Sequence, residues 1–442
     1  MTVRVIGAGL AGCEAAWQLA ERGVETELYE MKPARFSPAH HSENLAELVC
    51  SNSLKADRLE SACGLLKEEM RRMGSLLVPC ALACRVPAGG ALAVDRAAFS
   101  GAVTARITSH PLIRLRREEV VRIPEDGISV IATGPLTSDA LAEQIRRLCG
   151  GSLSFYDAAA PIVTAESLVR ERIFSASRYG HGESDAYLNC PMNKEEYGRF
   201  YEELLAAERA PLHGFDAADP KVYEGCMPVE IMAARGPDTL RFGPMKPVGL
   251  QDPHTGHRPW AVLQLRREDA DGRLYNLVGF QTNLKFGEQK RVFGMIPGLE
   301  HAEFIRYGVM HRNTFLDSPS VLSADYSVRR RPNLFFAGQI TGVEGYMESA
   351  SSGIVAGINA ARRAAGQRPF LPPETTMTGA LCRYAANGGK GPFQPMGANF
   401  GILPPLPEKI RCKQERYAAL AARALADLAS AFAEEGVAFS DR

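Results

Sequence analysis

Runs of apolar residues, and the glycines and acids that end them, outline the chain. VRVI at 3–6 passes without a polar break into Gly7-Ala8-Gly9-Leu10-Ala11-Gly12. Alanine and leucine then recur through CEAAWQLAERG to Gly23, and a second apolar run, Val24 to Tyr29, stops on Glu30. This pattern predicts strand, glycine turn, helix, strand and a closing acid. Leu65, Leu66, Met70, Met73 and Leu77 fall near helical spacing, and Phe99 to Ile107 also reads as helix. GISVIATG at 127–134 predicts a buried strand closing on Thr133-Gly134, followed by a helix from Ser138 to Leu148. WAVLQLR and LYNLVGFQTNL predict strands, and EQKRVFGMIPGL a short helix stopped by Pro297-Gly298. At 333–342, NLFFAGQITG returns to the opening pattern, and SSGIVAGINAARRAAG follows as a helix of small residues. A last helix is predicted from Arg416 to Ala433.

The opening unit has a chemical reading. Gly7 allows a tight turn, Gly9 lets the backbone approach a pyrophosphate, and Gly12 lets the helix pack close to the strand. The helix start offers free N–H groups and a positive dipole end to phosphates. Glu30, eighteen residues after Gly12, can accept hydrogen bonds from an adenosine ribose. The late return at 333–342 favours FAD over a nicotinamide cofactor. In a two-part FAD protein the flavin lies at the start of the last helix, where the dipole steadies negative charge. Gly134, Gly338, Gln339 and Gly342 then join Gly7 to Gly12 and Glu30 as cofactor-binding candidates, with Gln339 supplying an amide where many flavoproteins place an acid. No second GxGxxG marks a tightly held nicotinamide site.

From about residue 155 the texture changes to segments rich in Pro, Gly, Met and aromatic residues, such as YLNCPMNKEEY and LRFGPMKPVGL. The expected fold is therefore α/β, a Rossmann-like FAD-binding domain with an inserted α+β domain. The expected division is 1–175 for the first part of the FAD domain, 176–304 for the insertion, and 305–442 for the second part with a helical extension.

The totals narrow the function classes. Lys+Arg and Asp+Glu are 51 each, which argues against wholesale electrostatic capture of nucleic acid and leaves room for a local basic face. No apolar run is long enough for a membrane span, and the N-terminus lacks an export-signal pattern, so a cytoplasmic, reducing location is expected. Most of the ten cysteines should be small buried residues. Cys80 and Cys84 have no partner pair or nearby histidine to complete a zinc site, and no metal is expected.

The stretches PAHHSENLAELVCSNSL, GLLKEEMRRMGSL, RVPAGGALAVDR, ATGPLTS, EGCMPVE, FGPMKPVGL, RYGVMHRNT, AGQITGVEGYMES and FQPMGANFG closely resemble the methylenetetrahydrofolate- and FAD-dependent tRNA (uracil-5-)-methyltransferases, related to the GidA flavoproteins. The resemblance covers almost the whole chain. It implies methylation of carbon 5 of a uridine in the tRNA T-loop, with the one-carbon unit from methylenetetrahydrofolate and reduction by FADH2 that NAD(P)H regenerates. Methylation of ribosomal RNA by the same chemistry is an alternative, as is a flavin oxidoreductase with a small-molecule substrate. No protein partner is evident.

Such chemistry requires a reactive thiol. The resemblance points to Cys226 as nucleophile toward uracil and Cys50 as the flavin-side thiol or base, with the roles open to exchange. It also points to His311 against the pterin, with Arg312 beside it. Tyr346, near the second glycine turn with Glu344 and Glu348, is a further substrate-contact candidate. Arg178, Lys246, Arg266, Arg267, Lys285, Lys290 and Arg291 are the candidate RNA-facing cations. Cys13 stands where the family usually has serine, a small-for-small change.

Overall fold

A computed structural model describes residues 1–37, 39–150, 153–180, 186–211, 227–389 and 393–435; at 153–157, 180, 311–314 and 435 it describes the backbone only. The FAD half is built on a six-stranded sheet in the order 327–328, 331–336, 129–131, 3–6, 26–29, 113–116. Every pairing is parallel except the edge pair 327–328 with 331–336. The predicted strands at both ends of the chain thus lie on either side of the 129–131 strand. Ile6 is in register with Ile131, and Ile131 with Phe336. The opening and return turns consequently leave the sheet at the same level, one strand apart, where ligands bind in doubly wound sheets.

The helices behind the two turns, Leu10–Ala20 and Tyr346–Ala364, pack backbone to backbone. A Cβ added at Gly353 would collide with the Ala11 carbonyl, and one at Gly357 would lie 2.6 Å from the Ala15 carbonyl oxygen. The small residues of the return helix are therefore a packing requirement. The predicted helix over 64–77 is two helices, Ala62–Arg72 and Leu77–Ala83. The break follows Gly74, whose φ is +76°, a value few other residues hold without strain.

The second six-stranded sheet runs in the order 174–175, 187–192, 261–267, 274–277, 162–164, 304–306, and all its pairings are antiparallel. Its strands come from between Ile162 and Arg306. Phe200, Phe280 and Phe293 fill its core, with Phe280 and Phe293 edge to face at 5.3 Å. The ribbon 153–158 with 310–315 joins the two halves of the chain. Among the described residues, no helix is long and apolar enough to cross a membrane.

Candidate dinucleotide cleft and active site

The two glycine turns face each other across a cleft lined by Gly7 to Ala11, Glu30, Gly134, Gly338, Gln339 and Tyr346. Gly7 has φ +98°, and a Cβ there would lie 2.6 Å from the Ala132 carbonyl oxygen. By contrast, a Cβ on Gly9 would meet nothing within 4 Å. Gly9 is the N-cap of the first helix and supplies no capping side chain. Open space beside uncapped N–H groups at a helix start is what a pyrophosphate requires. The Glu30 carboxylate accepts from the backbone N–H of Ala8 at 3.2 Å and of Lys32 at 3.0 Å. These bonds orient it at the cleft and leave lone pairs for a ribose diol. The expected cofactor, FAD, fits the cleft on these three grounds.

Gly12 and Gly342 are not among the lining residues. A Cβ at Gly12 would strike the Gly7 carbonyl, and one at Gly342 would strike the Phe393 ring. Both glycines shape the turns from behind. The Gln339 amide donates to Glu344 at 2.8 Å, which orients the neutral side chain at the return turn. The Cys13 thiol is fully buried and donates to the Ala8 carbonyl, one turn inside the helix from its cap.

Cys50 lies beside the cleft, against the first residue of the return helix. Its Sγ is 2.9 Å from the Tyr346 hydroxyl. That hydroxyl also accepts the backbone N–H of Cys50 at 2.8 Å and of Ser51 at 3.3 Å. Backbone N–H groups only donate, so both oxygen lone pairs are engaged and the hydroxyl proton is left to point at Sγ. Burial pushes the Tyr346 pKa well above its ordinary value, with the Cys50 charge adding to the rise, so the proton stays on the phenol.

The sequence reading missed what holds the Cys50 loop. The Arg96 guanidinium donates to the carbonyls of Leu48 and Val49 and pairs with Glu268 through Nε at 2.5 Å. Arg266 donates to the Asn52 and Ser51 side chains, both at 2.8 Å, and the Asn52 amide donates to the Arg267 carbonyl. Burial lowers the Arg266 pKa; at Arg96 the same burial is outweighed by the Glu268 charge and hydrogen bonds. Arg266 was an expected RNA-facing cation, and the structure corrects this: it is 6% exposed and spent on the Cys50 loop. The only clue to this use was position, since an arginine in an apolar strand is costly to bury without partners.

Other expected cations are also engaged. Arg178 donates to Gln264 and to the Lys246 and Val248 carbonyls, Lys285 pairs with Glu208, and Arg291 pairs with Glu203 and Glu288. Lys246 and Lys290 stay exposed. Arg306 and His40 were also missed. Arg306 donates to the Ala39 carbonyl at 3.3 Å, and burial and the Arg96 charge lower its pKa. His40 lines the cleft against Ser37 at 2.6 Å, and burial followed by the Lys32 charge lowers its pKa to about 4, leaving it neutral.

Cys226 lies outside the described residues. The chain just after it is firmly held: Glu230 is buried and accepts from the Thr282 hydroxyl and the Asn283 N–H. His311 and Arg312 lie inside the strand 310–315, opposite Asp157 and Tyr156 in register. Cys13, Cys80, Cys190 and Cys382 are buried, Cys50, Cys63, Cys84 and Cys149 are half-buried, and Cys412 is exposed.

The family model for glucose inhibited division protein A matches residues 2–368. A relative from Desulfitobacterium hafniense, a methylenetetrahydrofolate–tRNA-(uracil-5-)-methyltransferase TrmFO, is 59% identical over 436 residues, 98% of this chain and 99% of its own. A second so named, from Moorella thermoacetica, is 60% identical over 424 residues, 96% of each chain. The chain belongs to the TrmFO family. Its fold is that of the GidA flavoproteins. The Aquifex aeolicus GidA structure in crystal form II matches with a TM-score of 0.72 at 17% identity, over 98% of this chain and 73% of that one. Form I matches with a TM-score of 0.68 at 17% identity, over 96% and 76%. The TrmFO identity spans both sheets, so the polar contacts between them lie within the matched region.

Proposed function

We propose that the protein methylates carbon 5 of a uridine in the T-loop of tRNA, using methylenetetrahydrofolate, FAD and NAD(P)H. The observation that carries the reading is the Cys50 thiol, 2.9 Å from the Tyr346 hydroxyl at the edge of the dinucleotide cleft. FAD, when bound, supplies the one-carbon unit taken from folate and the electrons that make it a methyl group.

The residues do the rest. Uracil carbon 5 is a poor nucleophile until a thiolate adds to carbon 6 and turns the ring into an enolate. Cys226 is proposed for that addition, and Cys50 as the thiol or base on the flavin side. The Tyr346 proton aimed at Sγ favours a negative sulfur at Cys50, which suits removal of the carbon-5 proton. Loss of that proton then expels the carbon-6 thiolate. His311, Arg312 and Tyr346 are proposed as contacts to folate or uracil, and Gly7 to Gly12, Glu30, Gly134, Gly338, Gln339 and Gly342 as the FAD-binding set. The expected divisions 1–175, 176–304 and 305–442 are kept as a proposal with the middle one, presenting the RNA, widened to 162–306, because strands 162–164, 174–175 and 304–306 share its sheet. A cytoplasmic location belongs to the same reading.

The test is purified protein with FAD, NADPH, methylenetetrahydrofolate and an unmodified tRNA transcript, followed by nucleoside analysis. 5-Methyluridine at the T-loop position is expected; its absence with flavin fully bound overturns the reading.

A further inference from the structure

Two sequence motifs, RVPAGGALAVDR apart from its last residue Arg96, and FGPMKPVGL, are not absorbed by the cofactor cleft or by Cys50. The structure brings them to one place. Gly89 and Gly90, from the first, line a groove with Tyr179, Tyr187 and Gln264 of the second sheet's domain. Gly249, from the second, lies under the ring of Tyr179. A Cβ on Gly249 would sit 3.0 Å from ring atoms Cε1 and Cζ, and the Tyr179 N–H donates to the Gly249 carbonyl at 3.2 Å. Tyr179 has φ +58° and ψ +19°, a left-handed conformation that is strained for a bulky side chain. It is nonetheless 61% exposed. A ring laid on a glycine in strained backbone, and largely exposed to solvent, is a poor way to build a core.

Arg58 links this groove to a second one, lined by Cys63, Phe400, Lys413 and Tyr417, with Glu60 as its acid. Phe400 and Tyr417 stack at 4.4 Å, and Lys413 and Arg416 each lie 5.5 Å from the Tyr417 ring. Arg58 is exposed, and its side chain makes no ion pair among the described residues, unlike Arg291. It follows Cys50 by eight residues, hence by at most ~29 Å of extended chain. Aromatic faces alternating with unpaired cations along a groove are the physical signature of single-stranded nucleic acid binding.

We propose that this groove, from Tyr179 across Arg58 to Lys413, holds the unpaired RNA flanking the target uridine: a base stacks on Tyr179, and phosphates meet Arg58 and Lys413. The inference rests on tRNA being the substrate. It also assigns the RNA-facing charge to residues other than Arg266, Lys285 and Arg291.

The test uses the flavin-loaded full chain, an unmodified T-arm hairpin transcript and a fully paired RNA duplex of the same length. Tyr179→Ala is expected to weaken hairpin binding by about 5- to 150-fold, with Tyr179→Phe close to wild type. Duplex binding should change little. Arg58→Ala is expected to reduce the slope of log affinity against log salt by about 0.7–0.9. Tyr179→Gly separates binding from packing, because it relieves the left-handed backbone: its Tm should not fall below wild type while hairpin affinity drops. NAD(P)H-driven flavin reduction should be unchanged in all variants. Wild-type hairpin affinity in Tyr179→Ala and Arg58→Ala, or equal loss on hairpin and duplex in Tyr179→Ala, overturns the groove and leaves the proposed function standing. A wild-type protein that binds neither the hairpin nor whole tRNA overturns both.

Discussion

Two seams hold this protein together, and they are made of opposite materials. The first lies between the helices Leu10–Ala20 and Tyr346–Ala364, where glycines and alanines let two backbones touch. The second joins the Cys50 loop to the strand Ala261–Arg267 and its extension. It consists of Arg96 with Glu268, Arg266 with Asn52 and Ser51, and the Asn52 amide with the Arg267 carbonyl. Dry packing has no partner to exchange for water, so it opens only at the cost of the fold. Buried charge pairs are worth little net stability, and they orient groups sharply because a single broken partner is expensive. The cofactor half is thus fixed by shape, and the Cys50 loop beside it is held by charge. The difference teaches that the position of Cys50 depends on the second sheet, none of whose described residues lines the cleft.

Breaking the dry seam should have the largest effect. Gly353→Val places methyl groups into the Ala11 backbone, and overpacking of this kind costs at least ~3 kcal/mol. Little folded, yellow protein is expected, as measured by flavin content and thermal melting; a variant of normal stability would remove the contrast. Breaking the polar seam should act differently. Glu268→Gln leaves Arg96 buried without its counter-charge, at a cost of about 3–5 kcal/mol, yet the FAD turns are untouched. The protein should keep its flavin, while Cys50 reacts at a changed rate with a thiol reagent and methylation falls. Unchanged Cys50 reactivity would show that the loop holds its place without the second domain.

Two smaller tests sharpen the comparison within the site. Tyr346→Phe strands the N–H groups of Cys50 and Ser51 and removes the proton aimed at Sγ, with a stability loss of about 1–3 kcal/mol. Its methylation should fall more steeply at low pH than at high pH, because the Cys50 thiolate loses its donor. A parallel pH profile would argue against that donor. The smallest effect at neutral pH concerns His40, whose pKa is lowered to about 4 from an ordinary value near 6.5. A histidine kept neutral by the fold contributes stability above pH ~6.5 that is lost as pH falls toward 4, because the unfolded chain binds the proton first. Relative to wild type, His40→Gln should gain almost nothing near pH 7 and up to ~3 kcal/mol as pH drops to 4. The buried Glu69 and Glu14, raised to about 7, work in the opposite sense, since their contribution fades as pH rises from 4.5 to 7. The measurement is therefore the difference between variant and wild type across pH.

Much of the cofactor half was legible in the sequence. Strand, glycine turn and helix are local patterns, and Gly7, Gly9 and Glu30 carry their reasons in their spacing. The return at 333–342 was legible as well, because it repeats the same local pattern. Gly12 and Gly342 were grouped with the cofactor-binding glycines; in the structure a Cβ at either would strike chain behind the turn, so both shape the turns from the far side. The difference lies only in what a Cβ would strike, and that depends on residues far along the chain.

The Cys50 clamp shows the boundary most clearly. By itself the sequence determined the elements, the cleft's glycines and acid, and the family motifs that single out Cys50 and Tyr346. Tertiary structure alone decided that Arg266 is buried and holds the Cys50 loop, that Arg96 finds Glu268 across 172 residues, and that the exposed Tyr179 lies over Gly249. Periodicity records which face of an element is buried. It does not record which distant charge will be waiting there, because a charge's cost or use depends on partners that only folding brings within reach.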